Sequence, residues 1–555
     1  MSRSKTLSRP GPSLEERRRC IESEPLPANI AALIDEAADA AGDRLAWNFF
    51  ESGEAITYSQ LRRRVRGLAK SLAGIGVKKG THVAVMLPNI AAFPLTWLAI
   101  GTLGAVMIPV NVGYQPRELR FVLESGDAEF AIVDESCWPM LDGCLGEGGL
   151  RVARENVVVH GRGAPGLHDW DALAQPSDEP HVAAETVGLD DLLNIQFTSG
   201  TTGFPKGCML TQRYWLTSGK VNAFRDGRGY ERILASTPFY YMDPQWLLLM
   251  TFYQRATLFV AARQSTSRFT SWLREHRIQF CLFPFLVYKN PPAADDRLDD
   301  LVRGNVYGLA PAVHAKIEER FDFCAREAFG MTELGSAMFM PIEATDMVGS
   351  GSCGVPVPFR ECRIVDADDR PVAPGEAGEL CVRGPGILLG YYNNAEATEK
   401  ALRGGWFHTG DLFRQDERGY FYIVGRQKDM IRRSSENIAA REVEAVLNSF
   451  PVVLESAVVP VPDEVRGEEV KAYVVLRDGT GADEKAMLEQ IVSGCQAQLA
   501  RFKVPRYFTF RSELPKTASL KVAKEGLHAS ARAGTERTYD RVAGGWIGQG
   551  AEAAR

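Results

Sequence analysis

The chain has 555 residues, 45% hydrophobic and 24% charged, the balance of a soluble globular enzyme long enough for more than one domain. Its net charge of -6 argues against a nucleic-acid partner, which needs a basic surface. Ten cysteines without a CxxC pair and eight histidines without HExxH suit a reducing cytoplasm and give no structural zinc pattern.

Residues 1–27 are Arg/Ser/Pro-rich at their start, lack an apolar signal core and read as a disordered leader. From 28 to 424, apolar runs such as HVAVML, AVMIPV, FAIVD, RILAST and ATLFVA alternate with helical stretches. That alternation predicts a large, multi-layered α/β N-terminal domain. Within it, Ile90 to Val110 carries no charge and could in principle cross a bilayer, but Pro94, Gly101, Gly104 and Pro109 break it. A buried helix followed by a buried strand is expected there, and no membrane span. GELCVRG and GYFYIVG read as hairpin strands of a β-rich subdomain. A linker is expected at 425–429, then a small α+β domain over 430–540 and a tail over 541–555. That domain is built from a helix (AAREVEAVLNSF), strands (SAVVPVP and VKAYVVL) and a helix near 484–500.

The most informative run is TSGTTGFPKG, from Thr198 to Gly207. Gly200, Gly203 and Gly207 let the backbone approach an anion and present its amides. Thr198, Ser199, Thr201 and Thr202 add hydroxyls, and Lys206 adds a cation. The DLLNIQF strand before it and the helical spacing of MLTQRYWLTSG after it predict strand, glycine loop and helix. The run is not GxxxxGK[ST], so a switch or motor of that kind is not supported. A flexible Gly/Ser/Thr loop is the alternative, and it does not require Pro205 and Lys206.

The run resembles the phosphate-loop signature of the adenylate-forming superfamily: acyl-CoA synthetases, peptide-synthetase adenylation domains and beetle luciferases. The resemblance extends over most of the chain, and further motifs follow in order. FGMTE, Phe329 to Glu333, resembles YGMTE, which implies that Phe329, Gly330 and Met331 line the nucleotide. It also implies that Thr332 touches the α-phosphate and Glu333 helps hold Mg²⁺, a hard cation that takes carboxylate oxygen. On its own, the same run could begin an ordinary helix. Gly308, Leu309 and Ala310 match the segment along adenine and the acyl group. In WFHTGD, Asp411 matches the carboxylate that grips the ribose hydroxyls. Arg426 matches a second ribose contact, and Lys428 the hinge about which the small domain rotates. LPKTASLKV resembles PKTxSGK, whose last lysine is the adenylation catalyst; here that is Lys521, with Lys516 its rival and Leu520 in the place of the usual glycine.

Around the acyl group, PFYYMD aligns with PxFHxxG and puts Tyr241 where many relatives carry a gating histidine. Tyr240, Asp243, Trp246, Phe283 and Leu309 are further candidates for the lining, and core packing is the alternative for the aromatics. Asp243 suits a cationic or hydroxylated substrate, or equally a turn. RRSSENI places Ser434, Ser435 and Glu436 beside the path of coenzyme A, with serines where the family usually has two glycines. GSGSCG, Gly349 to Gly354, fits GxGxxG but opens no predicted helix and reads as a turn.

The resemblance, closest to stand-alone carnitine-CoA and 4-coumarate-CoA ligases, implies ATP, Mg²⁺ and CoA as cofactors and cosubstrates, with a small carboxylic acid as substrate. The acid and Mg-ATP would give acyl-AMP and pyrophosphate, and CoA would then displace AMP. Delivery to a carrier protein and a non-catalytic nucleotide-binding role are the alternatives. Monomer and homodimer both remain open.

Overall fold

The computed structural model describes residues 12–163, 165–179, 185–198, 205–309, 311–426, 429–433, 436–477, 484–517 and 521–548. A large N-terminal domain and a small C-terminal domain make up a mixed α/β structure.

Two seven-stranded, mostly parallel sheets form the large domain. One runs Cys324–Arg326, Arg303–Asn305, Phe280–Leu282, Arg232–Ala235, Thr257–Val260, Leu45–Phe49 and Glu54–Thr57, with only the last strand antiparallel. The other runs His168–Asp169, Val157–His160, Phe130–Asp134, His82–Met86, Val106–Pro109, Leu192–Thr198 and Lys206–Thr211. Helices Ala92–Leu103, Gln212–Phe224 and Met242–Gln254 are buried on nearly every face, the first and last mainly apolar and the middle one carrying buried Gln212, Lys220 and Asn222. They share one core with both sheets, in which Trp97 meets Trp215 edge-on at 5.2 Å. The uncharged stretch from Ile90 is therefore a buried helix and the buried strand Val106–Pro109, as its punctuation predicts.

Three expectations need correction. The leader is not disordered throughout, because Leu14–Ser23 is a helix. Ser13 and Glu16 close a reciprocal capping box at its start, and Leu14 packs on the cluster of Val221, Phe339 and Val357. The phosphate run is followed by a strand, since Met209–Thr211 belong to Lys206–Thr211 and the helix begins only at Gln212. The run therefore joins two antiparallel strands whose ends pair Thr198 with Lys206. The tail also contributes structure: Gly545–Ile547 pairs with Thr538–Asp540 at the edge of the small domain's sheet.

GELCVRG and GYFYIVG are strands, but they pair with each other only through Phe407–Gln415, which lies between them in a four-stranded antiparallel sheet. In the small domain, Gly467–Leu476 lies between Val453–Asp463 and Tyr507–Arg511. Its alternation turns Val470, Ala472 and Val474 toward helices Ala440–Ser449 and Glu484–Gln498, and Tyr473 and Val475 toward helix Lys524–Ala533. The Lys289 ammonium ties the two domains together by donating to Asn448 O at 2.8 Å and Val453 O at 3.3 Å.

Candidate functional site

Ser199, Gly200, Thr201, Thr202, Gly203, Ala310, Lys428, Ser434, Ser435 and Leu520 lie outside the described residues, as does the side chain of Glu436. The flanks of the phosphate run are described. Thr198 Oγ1 donates to Lys206 O at 3.5 Å, and the Lys206 ammonium sits 4.9 Å over the Tyr391 ring. Tyr391 in turn donates its hydroxyl to Glu333 Oε1 at 3.0 Å. Backbone bonds from Met209 N to Gly390 O and from Tyr392 N to Gly207 O lock this tyrosine segment onto the hairpin.

FGMTE is no helix start. Ala328–Met331 and Gly335–Phe339 form an antiparallel hairpin, and Thr332 and Glu333 lie in its turn. Gly330 permits the closeness of its strands, because a Cβ there would stand 2.5 Å from Gly335 O. Tyr214 donates its hydroxyl to Thr332 O at 2.8 Å, fixing the turn from the buried helix below. Phe329 packs edge-on against Phe413 at 4.9 Å. Glu333 is 8% exposed, and burial pushes its carboxyl above the usual range; its own backbone N–H, the Tyr391 hydroxyl and the charges of Lys206 and Arg426 oppose that rise.

Asp411 and Arg426 are direct partners across antiparallel strands, and Arg426 Nε donates to Asp411 Oδ1 at 3.3 Å. Asp411 is 5% exposed and burial raises its pKa, opposed first by Arg426. Gly410, with φ 70°, makes the turn before it. The Gly410 N–H donates to Glu379 Oε1 at 2.9 Å, and Thr409 Oγ1 donates to Leu380 O at 2.8 Å.

Sequence reasoning missed Glu327, whose carboxylate accepts from Gly308 N at 3.0 Å and Leu309 N at 2.6 Å and so shapes the segment that carries them. Burial raises its pKa, and Arg441 from the small domain is the largest opposing influence. The same arginine acts on Asp411. Tyr391 was missed as well; the signal for both is an acid or aromatic close to a motif, which chain position alone does not distinguish from packing.

Tyr240 and Tyr241 meet edge-on at 4.7 Å, and Asn111 Nδ2 donates to the Tyr241 hydroxyl at 3.3 Å. Desolvation raises the hydroxyl pKa of Tyr114, Tyr240 and Tyr241; Glu118 and Tyr240 add to the rise at Tyr114, and Tyr240 and Tyr114 to that at Tyr241. Asp243 accepts from Trp246 Nε1 at 3.1 Å. Burial raises its carboxyl pKa, partly offset by that hydrogen bond and by the charge of Lys521. Lys521 is exposed and lies on the small domain, so its charge reaches across to the large domain. Lys516 is instead paired with Glu455. Phe283 is buried among Phe269, Phe321 and Phe323 with ring separations of 4.8–5.5 Å, and Leu309 joins the same core.

The family model described as "AMP-binding enzyme" matches residues 34–392, and that of its C-terminal domain matches residues 442–521. The chain belongs to the AMP-binding enzyme family. Among curated AMP-binding relatives, it is 31% identical to the long-chain-fatty-acid–CoA ligase of Salmonella typhimurium, over 91% of this chain and 95% of that one. It is 29% identical to the crotonobetaine/carnitine–CoA ligase of Citrobacter koseri, over 90% and 98%. The anthranilate CoA ligase AuaEII, solved with anthranoyl-AMP, shares the fold with a TM-score of 0.84 and 23% identity, covering 92% of this chain and 99% of that one. Among the described residues, no helix of this AMP-binding enzyme is long and apolar enough to cross a membrane.

Proposed function

We propose that the protein is an ATP-dependent carboxylic acid–CoA ligase that works through acyl-AMP in the cytoplasm. The observation that carries this reading is the run of contacts from Lys206 through Tyr391 to Glu333, beside the paired Asp411 and Arg426. A cation and two buried carboxylates, linked by the influence of Arg426 on Glu333, support this reading, as do CoA-ligase relatives that span nearly the whole chain.

In this reading the 198–207 run and Lys206 hold the pyrophosphate end of ATP, and Thr332 contacts the α-phosphate. Asp411 accepts from the ribose hydroxyls, while Gly308 and Leu309 lie along adenine. Glu333 suits magnesium, being a buried carboxylate with a neutral hydroxyl as its side-chain partner and a pKa raised by burial. Bound there, the ion would supply positive charge to the phosphate oxygens. Lys521 then offsets negative charge as the substrate carboxylate attacks the α-phosphorus. The new bond joins carboxylate oxygen to phosphorus, the bond to the β-phosphate breaks, and pyrophosphate leaves. No side-chain nucleophile is needed, so alignment and charge do the work. In the second step the small domain turns about Lys428. The CoA thiol passes Ser434 and Ser435, attacks the acyl carbon and loses its proton to solvent as AMP departs.

The test is pyrophosphate and AMP release across a panel of acids, with and without CoA. The expected result is acyl-CoA and AMP in equal amounts with at least one acid class. Acyl-AMP that accumulates without any thioester would move the function to a carrier-protein acceptor; no adenylate with any class would overturn it.

A further inference from the structure

Beneath the turn that presents Asp411 lies a group that the adenylation chemistry does not use: Glu379, Cys381 and His408. Cys381 and His408 are direct partners across antiparallel strands, and Glu379 stands two residues before Cys381, on the same face of the sheet. The register shifts between Glu379 and Cys381, so the facing strand bulges out through Thr409, Gly410 and Asp411. Bulge and cluster are therefore one piece of structure, joined by the bond from Gly410 N to Glu379 Oε1.

The donor atoms converge. His408 Nδ1 is 3.0 Å from Glu379 Oε2, 3.2 Å from Cys381 Sγ and 3.8 Å from Asp369 Oδ1. One ring nitrogen cannot at once donate to the Glu379 carboxylate and accept from the Cys381 thiol, whereas a cation between them engages all three side chains. Zinc–ligand bonds of about 2.0–2.3 Å give tetrahedral edges of about 3.3–3.7 Å, within a few tenths of an ångström of the first two separations. Cys381 and His408 are buried, as zinc ligands in a folded sheet would be. Glu379 also receives Arg403, but at 3.3 Å and through one nitrogen, whereas Arg403 grips both oxygens of Asp369 at 3.0 and 3.1 Å. Arg403 thus keeps its partner if Glu379 turns to a metal.

We propose that Glu379, Cys381 and His408 form a binding site for a zinc-class divalent cation, distinct from the carboxylate Glu333. The mixed sulfur, nitrogen and oxygen donors select a borderline-soft metal over magnesium, which prefers oxygen alone. On binding, the Cys381 thiol releases its proton to solvent and His408 offers the Nδ1 lone pair, its remaining proton residing on Nε2. A solvent molecule completes four-coordination. Because Glu379 holds the Gly410 amide, occupancy acts on the turn that carries Asp411.

The test uses the full-length protein, stripped with a chelator and titrated with Co²⁺. The expected result is one equivalent bound, with thiolate-to-cobalt charge-transfer absorption that Zn²⁺ abolishes by displacement. Cys381→Ser should lose that band, Cys20→Ser, at an exposed thiol, should keep it, and Glu379→Gln should weaken binding by about 10-fold or more. No thiolate band in the unaltered protein, or a band that survives in Cys381→Ser, overturns the proposal. If Cys381→Ser fails to fold, Glu379→Gln decides, and unchanged Co²⁺ affinity there is equally fatal.

Discussion

Replacing Lys521 with alanine separates the two half-reactions. The lysine is exposed, and only its backbone atoms bond to Thr517: Thr517 N donates to Lys521 O at 2.7 Å and Lys521 N donates to Thr517 Oγ1 at 3.2 Å. Alanine keeps both bonds, so stability should change by no more than about 0.5 kcal/mol, the range for exposed sites. Lys516 cannot take over, because Glu455 holds it. In the proposed mechanism, what is lost is one positive group aimed at charge that develops as the anhydride forms, about 2.7–4 kcal/mol or 10²–10³ in rate. ATP–pyrophosphate exchange with the preferred acid should fall by that factor. Thioester formation from supplied acyl-AMP and CoA should stay within about threefold, since that step has no pentavalent phosphorus to stabilise. Equal losses in both steps would place the catalyst elsewhere. A loss confined to Lys516→Ala would hand the role to its rival.

Tyr391→Phe removes the hydroxyl that Glu333 accepts; a hydrogen bond to a charged group is worth about 1.5–3 kcal/mol, so KM for Mg-ATP should rise about 10-fold or more while thermal unfolding moves little. An unchanged KM would separate Tyr391 from the nucleotide. Phe283→Ala should cost about 3–5 kcal/mol in denaturant unfolding through the cavity it leaves, with acid preference unchanged; a changed acid preference would return Phe283 to the acyl pocket. Asp243 has a folded-state pKa raised by burial, so its ionised form opposes folding at neutral pH, and that penalty is relieved as pH falls through the raised value. Asp243→Asn, which keeps an acceptor for Trp246, should therefore raise the urea midpoint at neutral pH, and the gap should vanish once the pH is below 3.8, the ordinary value. A gap that persists in acid would mean the carboxylate is not the cause.

Patterns in the chain made the layered α/β class and the buried nature of Ile90 to Val110 legible, because each depends on local composition and short spacing; the order of the nucleotide motifs is read only through their resemblance to a family. Local spacing misled where two backbone states share a pattern. MLT after the phosphate run is equally at home in a strand or a helix, and only pairing with Leu192–Thr198 decided for the strand. Ser13 and Glu16 form a capping box readable in principle, but the Arg/Ser/Pro texture around them hid it.

What the chain determines alone is which chemical groups are available: glycines that let backbone approach phosphate, carboxylates at 333 and 411, and lysines at 206 and 521. Tertiary structure decided which of them face one another. Asp411 meets Arg426 because antiparallel register makes them partners, and Glu327 serves Gly308 and Leu309 because neighbouring strands bring the segments together. The absence of a zinc spacing in the chain has the same cause. A long excursion separates His408 from Glu379 and Cys381, and only the pairing of Gly378–Arg383 with Phe407–Gln415 gathers their donor atoms. Strand register is a long-range property, paid in loop-closure entropy and set by burial of a whole face, so no window along the sequence contains it.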